Sequence, residues 1–284
     1  MHPSIHHLPL KFDTIIKNIM VMQKGLSMNA RIVGSGKQTI VLAHGYGADQ
    51  TVWEKVVPKL GERYQLLLFD WCFSGAIKDR SLFDAVKYSC YEAFADDMIG
   101  LLDELNLKSC VFLGHSMSGM IGCIASVKRP DLFTKLILVA SSPRFINLED
   151  YEGGFDKSYI DEMFADMETN YEQWCSAFAA MVVDPSDPPS VEKFAKSLKR
   201  MGVEIGLPLA KTVFLSDHRS VLDKVVAPVT LVHTNHDLVV PASVVAFMHS
   251  RIKESAVEIV NTDGHFPQLT AHEEFLEVVF AALG

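Results

Sequence analysis

No apolar run of about 18 residues occurs in this chain of 284, so no membrane-spanning helix is expected. Cysteine is scarce and scattered. Cys72, Cys90, Cys110, Cys123 and Cys175 are odd in number, and none stands in CxxC or Cys/His ligand spacing. That argues against a disulfide framework or a structural zinc and fits reduced thiols in a cytoplasmic or nuclear setting. No long basic run is present, and the net charge is −9, which speaks against nucleic acid or an anionic membrane as partner. There is no internal repeat and no low-complexity tract. Residues 1–27 lack the layout of a signal peptide: they open on polar and histidine residues, and Lys17 and Lys24 interrupt their apolar stretch. They read as a loosely held extension, with Phe12–Met22 at most a short amphipathic turn. His2, His6 and His7 read as a chance cluster in it rather than a metal site.

What is present is a core-forming composition, 49% hydrophobic. Short apolar runs without in/out alternation read as buried parallel strands: Thr39–Ala43, Gln65–Phe69, Cys110–Leu113, Lys135–Ala140, Val229–Thr234 and Val257–Val260. Helical patterns lie between them, at Asp49–Leu60, Tyr91–Leu105, Met117–Lys128, Ser243–Ile252 and His272–Leu283. This alternation predicts an α/β fold, a mostly parallel sheet flanked by helices, with ligands bound at the carboxyl ends of the strands. The pattern breaks between Asn147 and Ser216. Four helical stretches stand there, Lys157–Glu168, Tyr171–Val182, Val191–Arg200 and Val203–Leu215, interrupted by the loop Asp184–Pro189. The segment 147–215 reads as a helical cap inserted into a core of 28–146 and 216–284.

Chemistry gathers at the strand ends. Gly114-His115-Ser116-Met117-Ser118 follows a strand and opens a helix, which is the setting of a nucleophile elbow. A serine in such a turn is more often a helix cap, so it needs a base and an orienting acid. His265 follows the Val257–Val260 strand and Asp237 the Val229–Thr234 strand, and the order Ser116, Asp237, His265 is that of a serine hydrolase on an α/β sheet. His236 and His272 are rival bases; Asp217 and Asp223 are rival acids. The oxyanion site predicted by the same logic uses the N–H groups of Met117 and of Tyr46 in His44-Gly45-Tyr46-Gly47. Position 118 departs from G-x-S-x-G, and serine is small enough to keep the elbow.

Taken together, His44–Trp53, Gly114–Gly122, Arg129–Phe133, Ser142–Phe145, Asp150–Phe155, Asn170–Trp174 and Asp263–Leu269 resemble the plant strigolactone and karrikin receptor family of α/β-hydrolases. Asp70-Trp71-Cys72-Phe73-Ser74-Gly75-Ala76-Ile77-Lys78-Asp79 departs from the loop of the established receptors and resembles the dwarf-fourteen-like two branch. The resemblance implies an α/β-hydrolase fold with a four-helix cap inserted after the sixth strand. It implies a monomer that binds and slowly cleaves a butenolide-type small molecule and docks on an F-box protein and repressor partners, without cofactor or metal. It also implies a pocket lined by Tyr46, His115, Phe145, Trp174, Phe178, Phe194, Phe214, Leu238 and Val239. Two other readings stay open, an ordinary carboxylesterase or lactonase, and a non-catalytic signalling protein that retains the triad.

Overall fold

A computed structural model describes residues 24–284. Seven strands form one sheet among these residues, β1 (Arg31–Val33), β2 (Thr39–Ala43), β3 (Gln65–Leu68), β4 (Cys110–His115), β5 (Phe133–Val139), β6 (Val229–His236) and β7 (Ser255–Asp263). Their order is β1-β3-β2-β4-β5-β6-β7, with β1 antiparallel to β3 and every other pairing parallel. β2 and β4 are buried along their whole length, which is why they read as unbroken apolar runs. β1 is mostly exposed and leaves no such signal.

The helices that cover the sheet are α1 (Val57–Gly61), α2 (Tyr91–Glu104), α3 (Met117–Lys128), α8 (Ala242–Arg251), α9 (Pro267–Thr270) and α10 (His272–Leu283). The predicted helix Asp49–Leu60 is broken. A 3₁₀ turn at Gln50–Trp53 precedes α1, whose second residue is Pro58; proline has no N–H to continue a helix from upstream. Between β5 and β6 stand α4 (Lys157–Thr169), α5 (Tyr171–Val182), α6 (Pro188–Met201) and α7 (Val203–Leu215). The loop expected at Asp184–Pro189 ends early, because Asp187 accepts from Ser190 N and Pro188 suits the first turn of α6.

Two expectations need correction. The resemblance counts the strand before the cap as the sixth; it is the fifth among the described residues, because β1 alone stands ahead of Thr39. The expected loose extension does not reach residue 27. Lys24–Ser27 is a helical turn, Lys24 N and Gly25 N donate to the Glu104 carboxylate, and Lys24 Nζ lies 3.2 Å from Asp97. Phe12–Met22 and His2, His6 and His7 lie outside the described residues. No described helix is long and apolar enough to cross a membrane.

Candidate active site

Ser116 sits between β4 and α3 at φ 56° and ψ −123°, in the left-handed half of backbone space that L-residues disfavour. Its side chain makes no capping bond to α3, so the helix does not use the hydroxyl. Crowding at the elbow falls on position 119. A Cβ on Gly119 would lie 1.9 Å from Ser141 Oγ. Ser118 is buried, and its hydroxyl donates to the His44 carbonyl at 2.5 Å.

Asp237 and His265 come together as predicted from their strand ends. His265 Nδ1 lies 2.7 Å from Asp237 Oδ2, and both side chains are almost wholly buried. Asp237 Oδ1 accepts from Val239 N at 2.8 Å and Val240 N at 3.2 Å. Burial alone would raise the Asp237 carboxyl. The His265 charge and hydrogen bond and the Val239 N–H outweigh it and hold the group below its ordinary value. The main chain of His265 is fixed from two sides. Its N–H donates to Val182 O at the end of α5 at 2.7 Å, and its carbonyl accepts from His115 Nε2 at 2.8 Å. His115 is neutral, pushed down to about 3 by burial first and the neighbouring His265 second, and a neutral ring can donate from Nε2.

Each rival is occupied elsewhere or set apart. His236 is exposed and pairs with Asp263 at 2.8 Å. His272 starts α10. Asp217 pairs with Arg144 and Arg219, and Asp223 with Arg251.

The two expected oxyanion donors are free. Tyr46 N–H has no partner among the described residues, and Met117 N–H is the first of its helix, where no intrahelical acceptor exists. Gly45 permits the loop to approach the elbow: a Cβ there would lie 3.0 Å from Ser116 Cβ. The Tyr46 hydroxyl reaches the cap and donates to Gly206 O at 2.9 Å.

Ser116 and His265 line one cavity with Tyr46, His115, Phe145, Phe178, Phe194, Phe214 and Val239. No hydrogen bond joins the Ser116 hydroxyl to His265, whose Nδ1 is taken by Asp237. Two expected lining residues are elsewhere. Leu238 is 65% exposed, because the Asp237 turn aims Val239 inward and Leu238 out. Trp174 stacks on Phe178 at 4.9 Å, one ring removed from the cavity. Val182, Val213 and Phe266 line it and escaped the sequence reading. For Val182 and Val213 the α5 and α7 apolar faces were the available signal, though not which position points down, and for Phe266 it was its place next to His265. The cavity volume is about 20 Å³, room for a water and for no ligand of several heavy atoms.

Comparison with known proteins agrees with this architecture. Residues 38–271 match a family model described as the alpha/beta hydrolase fold. The chain is 40% identical over 258 residues to strigolactone esterase D14 of Arabidopsis thaliana, covering 90% of this chain and 96% of that protein. It is 41% identical over 254 residues to karrikin insensitive 2 receptor IA of Petunia hybrida, covering 89% and 92%. A solved hydrolase of Oleispira antarctica, olei00960, superposes with a TM-score of 0.89 at 28% identity, covering 92% and 96%.

Proposed function

The chain belongs to the alpha/beta hydrolase family, within the group of strigolactone and karrikin receptors, and on that premise we propose that it is a slow serine hydrolase and receptor-like sensor of a butenolide-type small molecule. The observation that carries the proposal is the buried 2.7 Å Asp237–His265 pair, whose histidine lines an aromatic cavity together with a serine on a strained elbow. In this mechanism Ser116 Oγ attacks the ester or lactone carbonyl, and His265 Nε2 takes its proton. Asp237 holds the tautomer with the proton on Nδ1 and stabilises the imidazolium. The N–H groups of Tyr46 and Met117 receive the developing oxyanion. His265 then returns the proton to the leaving oxygen, and water resolves the acyl-enzyme. Binding a ligand of several heavy atoms requires the cap rings to move, since the free volume above Ser116 is only about 20 Å³.

The assignment to the dwarf-fourteen-like two branch rests on residues 70–79. Docking on F-box and repressor proteins, a monomeric state and a cytoplasmic and nuclear location belong to the same proposal and rest on family resemblance. One competing reading is an esterase or lactonase for small metabolic esters, which the same triad would serve.

Time-resolved intact-protein mass spectrometry with an enol-ether butenolide probe tests the proposal. Wild type should form an adduct or release product slowly, and Ser116→Ala should do neither. Adduct or turnover at the wild-type level in Ser116→Ala overturns the triad. Fast turnover of small esters with no response to butenolides favours the competing reading.

A further inference from the structure

The oxyanion loop is gripped by two side chains that take no part in the triad. The His44 carbonyl accepts from Ser118 Oγ at 2.5 Å and from Trp71 Nε1 at 3.0 Å. Trp71 Nε1 also lies 2.9 Å from Ser118 Oγ. The serine gives its one proton to the carbonyl and keeps its lone pairs for the indole, so the single indole N–H is shared between two acceptors. His44, Trp71 and Ser118 are all buried, and water cannot replace these bonds.

The grip extends to the imidazole of His44. Its Nε2 accepts from the main-chain N–H of Trp71 at 3.1 Å, which leaves the ring proton on Nδ1, 3.0 Å from Gly45 O. Burial keeps the ring neutral against the pull of Asp70, and so preserves this tautomer. The Gly45 carbonyl and the Tyr46 N–H belong to one planar peptide unit. Fixing that oxygen fixes the direction of the N–H.

We propose that Trp71 and Ser118 are positioning residues for the oxyanion site, holding the His44 carbonyl so that the Tyr46 N–H points at the carbonyl oxygen of the substrate. The proposal rests on the serine-hydrolase reading above. It assigns to Trp71 a role in turnover rather than ligand choice, although Trp71 stands in the segment that departs from the established receptors.

Trp71→Phe keeps the main-chain N–H and most of the ring, and Ser118→Ala keeps the backbone. Hydrolysis of p-nitrophenyl acetate is normalised to active sites titrated with a fluorophosphonate. Each variant should lower kcat about 10- to 100-fold, less than deletion of an oxyanion donor, with KM within about twofold of wild type. Inhibition by phenylboronic acid, whose serine adduct is tetrahedral, should weaken in parallel. The double variant should be no worse than about threefold below the poorer single one, because the two act as a unit. Trp53→Phe is the control. Trp53 is fully buried with an indole N–H that has no partner among the described residues, so its kcat should match wild type. Wild-type kcat in folded Trp71→Phe overturns the proposal, as does a change confined to KM or to thermal stability. Wild-type protein that neither hydrolyses the ester nor carries the fluorophosphonate on Ser116 overturns the hydrolase reading itself, and the positioning role with it.

Discussion

At the scale of single residues, one carboxylate carries more of this site than its position suggests. Asp237 closes the turn after β6 with one oxygen and orients His265 with the other. Asp237→Asn keeps the shape and both turn bonds available through Oδ1, but presents an amide N–H to His265 Nδ1 and forces the wrong tautomer. The expected outcome is a fall in kcat on the order of 10⁴-fold with KM little changed, measured by steady-state ester hydrolysis on protein of wild-type melting temperature. Loss of less than about tenfold would mean that Asp237 only shapes the turn. The elbow at Ser116 and the meeting of Asp237 with His265 were legible in sequence because each residue follows an apolar run that becomes a strand of the sheet, β4 and most of β6 buried and β7 at the exposed edge. Ser118 was legible as a departure, but its partners were not. That a hydroxyl there meets Trp71, 47 residues upstream, depends on how β3 and α3 pack across β2.

At the scale of elements, legibility followed burial. α3, α5, α7 and α10 run between the residues predicted for them; α5, α7 and α10 each bury one side, whereas α3 is buried nearly all round from Met117 to Ser126. The Val257–Val260 run, expected to be a buried strand, is the middle of an edge strand in which only Val260 is buried, and β7 runs two residues earlier and three later than that run. The cap bonds the loop after β2 at two places, through Tyr46 Oη to Gly206 O in α7 and through the pairing of Arg200 in α6 with Asp49. Burial keeps this phenol a neutral donor by raising it well above its ordinary value. Tyr46→Phe removes only that hydroxyl and leaves the main-chain N–H of the loop in place. It should cost about 1 kcal/mol of stability, the usual net worth of one such bond. It should also increase amide exchange in α7 relative to β2 and β4, read by hydrogen-exchange mass spectrometry. Unchanged protection across 203–215 would show that the cap does not depend on this bond.

At the scale of the whole molecule, the cavity lining was the least legible part, because it depends on how the cap docks rather than on any local pattern. Trp174 and Phe178 are one helical turn apart on α5, and docking alone puts the first behind the second. The fold also buries histidines. His44, His115, His218 and His233 are spread over the loop, the elbow, the cap–core junction and β6, and burial lowers all four from their ordinary value of 6.5. In the unfolded chain these rings take up protons near pH 6.5, while folded His115 does so only at about 3. The unfolded state therefore binds more protons in that interval, and stability is full above about 6.5 and lost as pH falls below it. Each buried ring contributes a slope of up to about 1.4 kcal/mol per pH unit. The carboxylates act later. Asp97 and Asp237 are held below their ordinary 3.8, so their contribution persists until pH drops beneath that value. Melting temperature should thus decline between pH 7 and pH 5, ahead of any carboxylate titration. His218→Gln removes one of these rings from a site away from the proposed chemistry and should make the decline shallower. A flat melting temperature from pH 7 to pH 5 would mean that the buried imidazoles find protonated forms the fold can accommodate.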